Sequence, residues 1–160
     1  MSKAKNLITS KTVEIAAPAE FVWDILVDLP GYGDWNPFTV AVESSLEVGD
    51  PVNLYIADPA NPGQRFCVVE YLVAKEPGLL LSWEQRPSET SKDAARRDQY
   101  IEAVGADRCR YFTTDLFLGL NADRITEQFG DWVQHSFDAL ADALKHHAEA
   151  KYAAQQGGQV

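Results

Sequence analysis

The sequence predicts an α+β fold: a curved antiparallel sheet wrapped around a long C-terminal helix, with an internal cavity between them. Three observations predict it. Strand-like segments separated by short turns follow one another from Thr39 to Leu118. From Ile125 to His147, apolar residues then recur at helical spacing for about six turns. The order (strand, two short helices, several strands, long helix) leaves one amphipathic element large enough to cover the apolar face of an antiparallel sheet.

The elements can be justified in chain order. Leu7 to Ala16 alternates through Thr12-Val13-Glu14-Ile15, the period-two pattern of a half-buried strand. Pro18 suits the first position of a helix, whose stripe is Phe21, Val22, Ile25, Leu26 and Leu29. Pro30-Gly31 ends it, Gly31 to Trp35 reads as a turn or second helical piece, and Pro37 pushes Asn36 toward an extended conformation. Strands are expected over Thr39–Leu46, Pro51–Ala57, Gln64–Lys75 and Leu79–Arg86. The loop Asp58 to Gly63 is built from turn residues. Pro87 to Ala95 is polar and reads as a loop. Arg96–Val104 and Arg108–Leu118 form a hairpin around Gly105-Ala106-Asp107. Asn121 suits an N-cap, the last helix is expected to reach about residue 150, and residues 151–160 read as a flexible tail. Without an internal repeat or a shift in composition, residues 1–160 read as one domain.

Composition limits the partners. With 14 basic against 24 acidic residues the formal charge is −10. Nucleic-acid affinity rests on Lys and Arg neutralising phosphates, and anionic membrane surfaces repel acidic chains, so neither partner is expected. Cys67 and Cys109 lie in apolar segments without CxxC spacing, and read as small core or boundary thiols, not a disulfide or zinc pair. HExxH, GxSxG, Walker and GxGxxG motifs are absent, so no metal or nucleotide cofactor is expected. A polar N-terminus and the lack of a long apolar run lead to the expectation of a cytoplasmic protein, monomeric or homodimeric, without membrane insertion.

One set of residues resembles a known family. Ile15-Ala16-Ala17-Pro18-Ala19-Glu20-Phe21-Val22-Trp23, Asp28, and Tyr32 ahead of Trp35-Asn36-Pro37-Phe38 resemble the opening of the START-like superfamily. More narrowly they resemble its polyketide cyclase/dehydrase branch, also called SRPBCC proteins. Leu81-Ser82-Trp83 and Tyr111 to Gly119 before the last helix fit the same pattern, so the resemblance spans about residues 8 to 150. It implies a helix-grip fold with a deep cavity for lipids, sterols, polyketides or other aromatic molecules, in a family of aromatase/cyclases and ligand carriers. Members like this one often show a cavity-facing His in the sixth strand and a Glu in the seventh. Gln99 and Asp115 stand at those positions here, so the His that would serve as an acid/base group is missing.

Strand parity names the candidate pocket. Leu81, Trp83 and Gln85 share one face, as do Tyr111, Thr113, Asp115 and Phe117. A three-residue hairpin loop sets Arg97 opposite Asp115, Gln99 opposite Thr113 and Ile101 opposite Tyr111. A two-residue loop would turn Arg96 and Asp98 inward instead. The longer loop is favoured because it keeps Ile101 and Ala103 inside. Trp83, Tyr111, Phe117, Phe129, Trp132 and Phe137 are then expected to wall a cavity open near Trp35 and Phe38. Arg97, Gln99 and Asp115 are its polar groups. The plainer alternative is that the aromatics are ordinary core and Arg97 with Asp115 a structural ion pair. Trp35 to Phe38 either lines the mouth or fixes the turn from helix to strand. Gly130, inside the last helix, either admits close approach or is a tolerated defect costing about 1 kcal/mol relative to Ala.

The expected function is binding of a hydrophobic, aromatic or polyketide-like molecule in that cavity. One rival is a cofactor-free cyclase, dehydratase or lyase with Asp115 as base and Arg97 and Tyr111 stabilising an enolate oxygen. Another is an interaction module with a vestigial cavity. An unfilled cavity with a raised Asp115 pKa favours the enzyme, low polar content the carrier, and a filled cavity beside a large exposed apolar patch the interaction module.

Overall fold

The computed structural model describes residues 5–157; the polar residues ahead of Lys5 and the last three residues of the chain lie outside the described residues. An 8-stranded antiparallel sheet has the order β1-β8-β7-β6-β5-β4-β3, with β2 also paired to β8. The expected first strand is two: β1 (Leu7–Thr9) and β2 (Val13–Ile15). Between them Ser10 keeps its pairing with Thr113, while the Lys11 N–H donates to Asp138 of the last helix at 2.7 Å, drawing the chain off the ladder. Pro18 sits one position before helix α1 (Ala19–Val27), extended at φ −63° and ψ 152°, where its carbonyl accepts from the Phe21 and Val22 N–H groups. A 3-10 helix, Leu29–Asp34, follows.

Strands β3 (Thr39–Ser44), β4 (Pro51–Ala57), β5 (Arg65–Glu76) and β6 (Leu80–Gln85) form a meander. β3 stops two residues short of the expected Leu46, whose φ of 59° is incompatible with a strand. β7 (Ala94–Gly105) and β8 (Arg108–Leu118) complete the sheet in the favoured register, Arg97 opposite Asp115, Gln99 opposite Thr113 and Ile101 opposite Tyr111. The tip differs: Gly105 pairs with Arg108, so Ala106 and Asp107 turn the chain, and a shift between Ala103 and Gly105 absorbs the extra residue.

Helix α2 (Ala122–Gly157) is longer than its apolar stripe suggests, running through residues 151–157 that were expected to be a loose tail. Tyr152 explains this, its ring meeting Phe21 edge-on at 5.1 Å. The helix carries two parts of the core. Ala141, Leu144 and Ala148 pack with β2, α1 and the inner faces of β4 to β6. Ala122, Val133, Phe137 and Leu140 form a second cluster with Ala95 and Phe117. Cys109 is buried, but Cys67 corrects the expectation of a core or boundary thiol and is exposed on β5. Among the described residues no helix is long and apolar enough to cross a membrane.

Candidate functional site

The second cluster is incompletely filled. Ala95 lies between Gln85 and Phe117 in adjacent strands, and its methyl group leaves space over the sheet that the larger neighbours do not occupy. The result is a cavity of about 180 Å³ between the sheet and the first half of α2. Trp83, Gln85, Arg97, Asp115 and Phe117 line it from the sheet. Phe129, Trp132 and Phe137 line it from α2, and Phe38 from the segment entering β3. Phe38 meets both Trp132 and Phe137 edge-on, at 5.6 and 5.7 Å.

Arg97 is the unusual group. Only 5% of it is exposed, yet it forms no ion pair with Asp115, its neighbour in the register. Its Nε donates to Thr113 Oγ1 at 3.2 Å, and its guanidinium carbon lies 4.6 Å from the centre of the Phe137 ring and 5.7 Å from that of Trp83. Among the described residues Nη2 has no hydrogen-bond partner, and neither has the buried Trp83 Nε1. A buried donor without an acceptor costs roughly 1–3 kcal/mol, more when charged. Arg97 and Trp83, which both line the cavity, thus each carry a buried N–H donor without a partner. The neighbouring Arg96 points the other way and pairs with Asp98 at 3.1 Å.

Two carboxyls share this space. Asp115 lines the cavity half-buried, and loss of solvation there pushes its pKa up to about 7, against the lowering effect of Arg97. Glu70 reaches the cavity from β5, and burial, followed by repulsion from Asp115, raises it to about 8. Strand parity applied to β6, β7 and β8 did not find Glu70. On β5 the opposite face carries Cys67, Val69 and Tyr71, more uniformly apolar than Phe66, Val68 and Glu70, so alternation alone points the wrong way. On the outer face Cys67 and Val69 are exposed, and cation–aromatic pairs cover only the rings of Tyr71, under Arg86 at 4.2 Å, and of Tyr55 in β4, under Arg65 at 4.5 Å.

Four expected residues do not line the cavity. Tyr111, Gln99 and Thr113 lie deeper along β7 and β8. The Tyr111 hydroxyl donates to Gln99 Oε1 at 2.6 Å, and Thr113 donates to the Asp98 carbonyl while accepting from Arg97. Together they form a polar layer that aims Arg97. Trp35 stacks on His147, 6.2 Å between centres, and packs against Tyr32, so of its motif Phe38 alone reaches the cavity. Asn36 fixes the turn, its Oδ1 accepting from the Phe38 and Thr39 N–H groups at 3.0 and 2.8 Å. The expected opening at Trp35 is therefore displaced. The half-exposed rings, Phe66 at 39% and Phe129 at 42%, mark the rim, and an apolar groove of about 380 Å³ continues from them past Trp132 to Asp58, Pro59 and Ala60. Among the described residues no group of three or more His, Cys, Asp or Glu side chains could hold a metal ion.

Residues 7–149 match the model of the family described as polyketide cyclase/dehydrase and lipid transport. The chain belongs to that family. The sheet gripping α2 is the helix-grip architecture. The fold is similar to that of the Zhui aromatase/cyclase from Streptomyces sp. R1128 (TM-score 0.72, 23% identity, covering 91% of this chain and 94% of that one). It is also similar to a START superfamily protein from Mycobacterium smegmatis (TM-score 0.57, 14% identity, 86% and 98%). The di-domain aromatase/cyclase StfQ of the steffimycin biosynthetic pathway superposes at a TM-score of 0.69 with 14% identity, 91% of this chain against 46% of that one. No curated protein matches the sequence significantly.

Proposed function

We propose that the protein binds a small, largely apolar aromatic molecule whose oxygen is held at the end of the cavity by Arg97. Arg97 itself carries this reading: a buried guanidinium with a donor lacking a partner, set among aromatic rings, is costly unless a ligand oxygen completes it. The void is large enough for about one aromatic ring, and a longer ligand can extend along the groove at Phe129 and Ala60. An unfilled cavity with four polar or charged lining groups speaks against a vestigial one.

A direct comparison tests this. Tryptophan fluorescence should report tighter binding of 1-phenylpropan-2-one than of its deoxygenated isostere propylbenzene, by about 10-fold or more, the value of a hydrogen bond to a charged donor. Arg97→Met should erase the difference while leaving the hydrocarbon's affinity unchanged. Equal affinities for the wild-type protein would overturn the reading.

The raised carboxyl favours a second reading, chemistry on the bound molecule. Asp115 titrates at about 7 beside the site where the oxygen would sit, as a general base operating near neutrality requires. A cyclase, dehydratase or lyase step would begin with its removal of a proton next to the carbonyl held by Arg97. Tyr111, engaged with Gln99 outside the cavity, has no part in that step. Asp115→Asn should bind ligand normally and lose turnover. If turnover survives, Asp115 is not the base.

A further inference from the structure

We infer that Glu70 is the proton-donating partner of Asp115, and that the two carboxyls act as an acid–base pair on an enolisable benzylic ketone held at Arg97. This rests on the binding and Asp115 readings above and adds the residue that completes the proton transfer, together with a substrate class.

The placement supports it. Glu70 enters the cavity from β5 and Asp115 from β8, with Trp83, Gln85, Ala95 and Arg97 of the two intervening strands between them. Both carboxyls line the same cavity, and among the described residues no side-chain hydrogen bond joins them to each other or to another group. Glu70 is half-buried at the cavity and has neither an ion pair nor a side-chain hydrogen bond with another described residue. Its face of β5 is otherwise apolar, Phe66 and Val68 preceding it and Leu72 following, so nothing in the local packing requires an acid there. Burial raises both carboxyls, and Arg97, opposite Asp115 in the ladder and two strands from β5, favours the ionised form at Asp115, which orders the roles: Glu70 donates and Asp115 accepts.

The step balances. The Asp115 carboxylate removes a proton from the carbon next to the carbonyl. The C–H pair becomes the C=C bond, and the carbonyl π pair moves onto oxygen beside Arg97. Glu70 delivers its proton to that oxygen, leaving the neutral enol, a protonated Asp115 and an ionised Glu70. Net charge is unchanged and no oxidant, reductant or cofactor is consumed. In the reverse direction the enol returns its O–H proton to Glu70 and receives at carbon whatever hydrogen isotope Asp115 has taken from solvent.

The test uses the full chain in D2O with 1-phenylpropan-2-one, following deuterium entry at the benzylic carbon by NMR and binding by tryptophan fluorescence. Wild-type protein should accelerate exchange over buffer, and Glu70→Gln and Asp115→Asn should each slow it by about 100-fold, at the lower end for general acid–base groups. Both variants should retain binding within about threefold, since a neutral amide matches the protonated acid in shape. Glu70→Asp should recover part of the rate. Thermal melts of Glu70→Gln should match wild type near pH 4 and lie above it at neutral pH, because glutamine has no proton to lose when the chain unfolds. Normal binding with wild-type exchange in Glu70→Gln would overturn the role of Glu70 alone. Binding without acceleration in the wild type would overturn the chemistry, and absence of binding would overturn the binding reading and this inference together.

Discussion

Arg97 is held against the preference of its own chemistry: a cation in an apolar layer, stacked near Phe137, with one hydrogen bond to Thr113 and a second donor unused. Arg97 forms no ion pair, so its removal breaks no salt bridge, although it withdraws the cation that lowers Asp115 and Glu70. Arg97→Met keeps the apolar stem, and Thr113 retains its bond to the Asp98 carbonyl. The variant is therefore expected to be more stable than wild type by about 1 kcal/mol or more, read from urea midpoints at constant slope. A loss of stability would mean that the stacking and the Thr113 bond outweigh the idle donor. The carboxyls give a second test at this scale. Asp115 moves from an ordinary 3.8 to about 7 and Glu70 from 4.5 to about 8, both upward. Between those limits the unfolded chain ionises while the folded chain keeps its protons, so stability from these groups is full below about pH 4 and declines up to about pH 8. The charges acting on Asp115 are Arg97 and Asp98 from β7 and Glu70 from β5, while the α2 residues lining the cavity are apolar. Asp115→Asn should flatten the decline, and the wild-type minus variant difference isolates this site from surface groups such as Glu14 and Asp123, which shift the opposite way.

At the scale of elements, Gly130 shows how a local cost can lack a structural reason. It is buried in α2, yet a Cβ there would meet Ile8 Cδ1 at 3.5 Å and Thr126 Cγ2 at 3.6 Å, ordinary contact distances. Gly130→Ala should stabilise the fold by about 1 kcal/mol, measured by urea unfolding. Gly119 is the contrast, since φ of 90° and a backbone oxygen of Lys92 at 2.6 Å from its would-be Cβ demand glycine where β8 hands over to α2. Elements were readable in the sequence where one period dominates. β4 and β8 match their expected spans because alternation and flanking turn residues agree. The β7–β8 register was readable because one alternative would have buried Asp98 and exposed Ile101. β5 was readable as a strand, expected over Gln64–Lys75 and found at Arg65–Glu76, but not in which face turns inward, since its outer face carries Cys67, Val69 and Tyr71 where the inner carries Glu70. Trp35 and Tyr111 were legible as buried aromatics but not as neighbours of the cavity, because parity fixes a face and not the depth along it. The end of α2 escaped for a related reason: Tyr152 docks on Phe21, a contact between residues 131 positions apart that no local pattern records.

For the molecule as a whole, the cavity divides the core unequally. The half of α2 beyond Leu140 packs into a filled cluster with β2, α1 and the middle of the sheet, whereas the half before it faces the void, with Ile125, Phe129, Trp132, Val133 and Phe137 as one wall. Removing contacts from one side of a wall lowers the free energy needed to open it locally, so the first half of α2 is the less protected part in the absence of ligand. A ligand that fills the cavity contacts this half and the inner faces of β5 to β8, and stabilises only states in which they remain closed. Amide hydrogen exchange should therefore slow on ligand binding at residues 125–137 and in the strands carrying Trp83, Arg97 and Asp115. Residues 141–152, already packed, should be unaffected. At 100 times its dissociation constant a ligand should add about 2.7 kcal/mol to global stability. Protection spread evenly over the whole of α2 would show that the helix opens as one unit and that the two core clusters are not separable. Protection confined to the rim at Phe66 and Phe129 would place the ligand in the outer groove, away from Arg97.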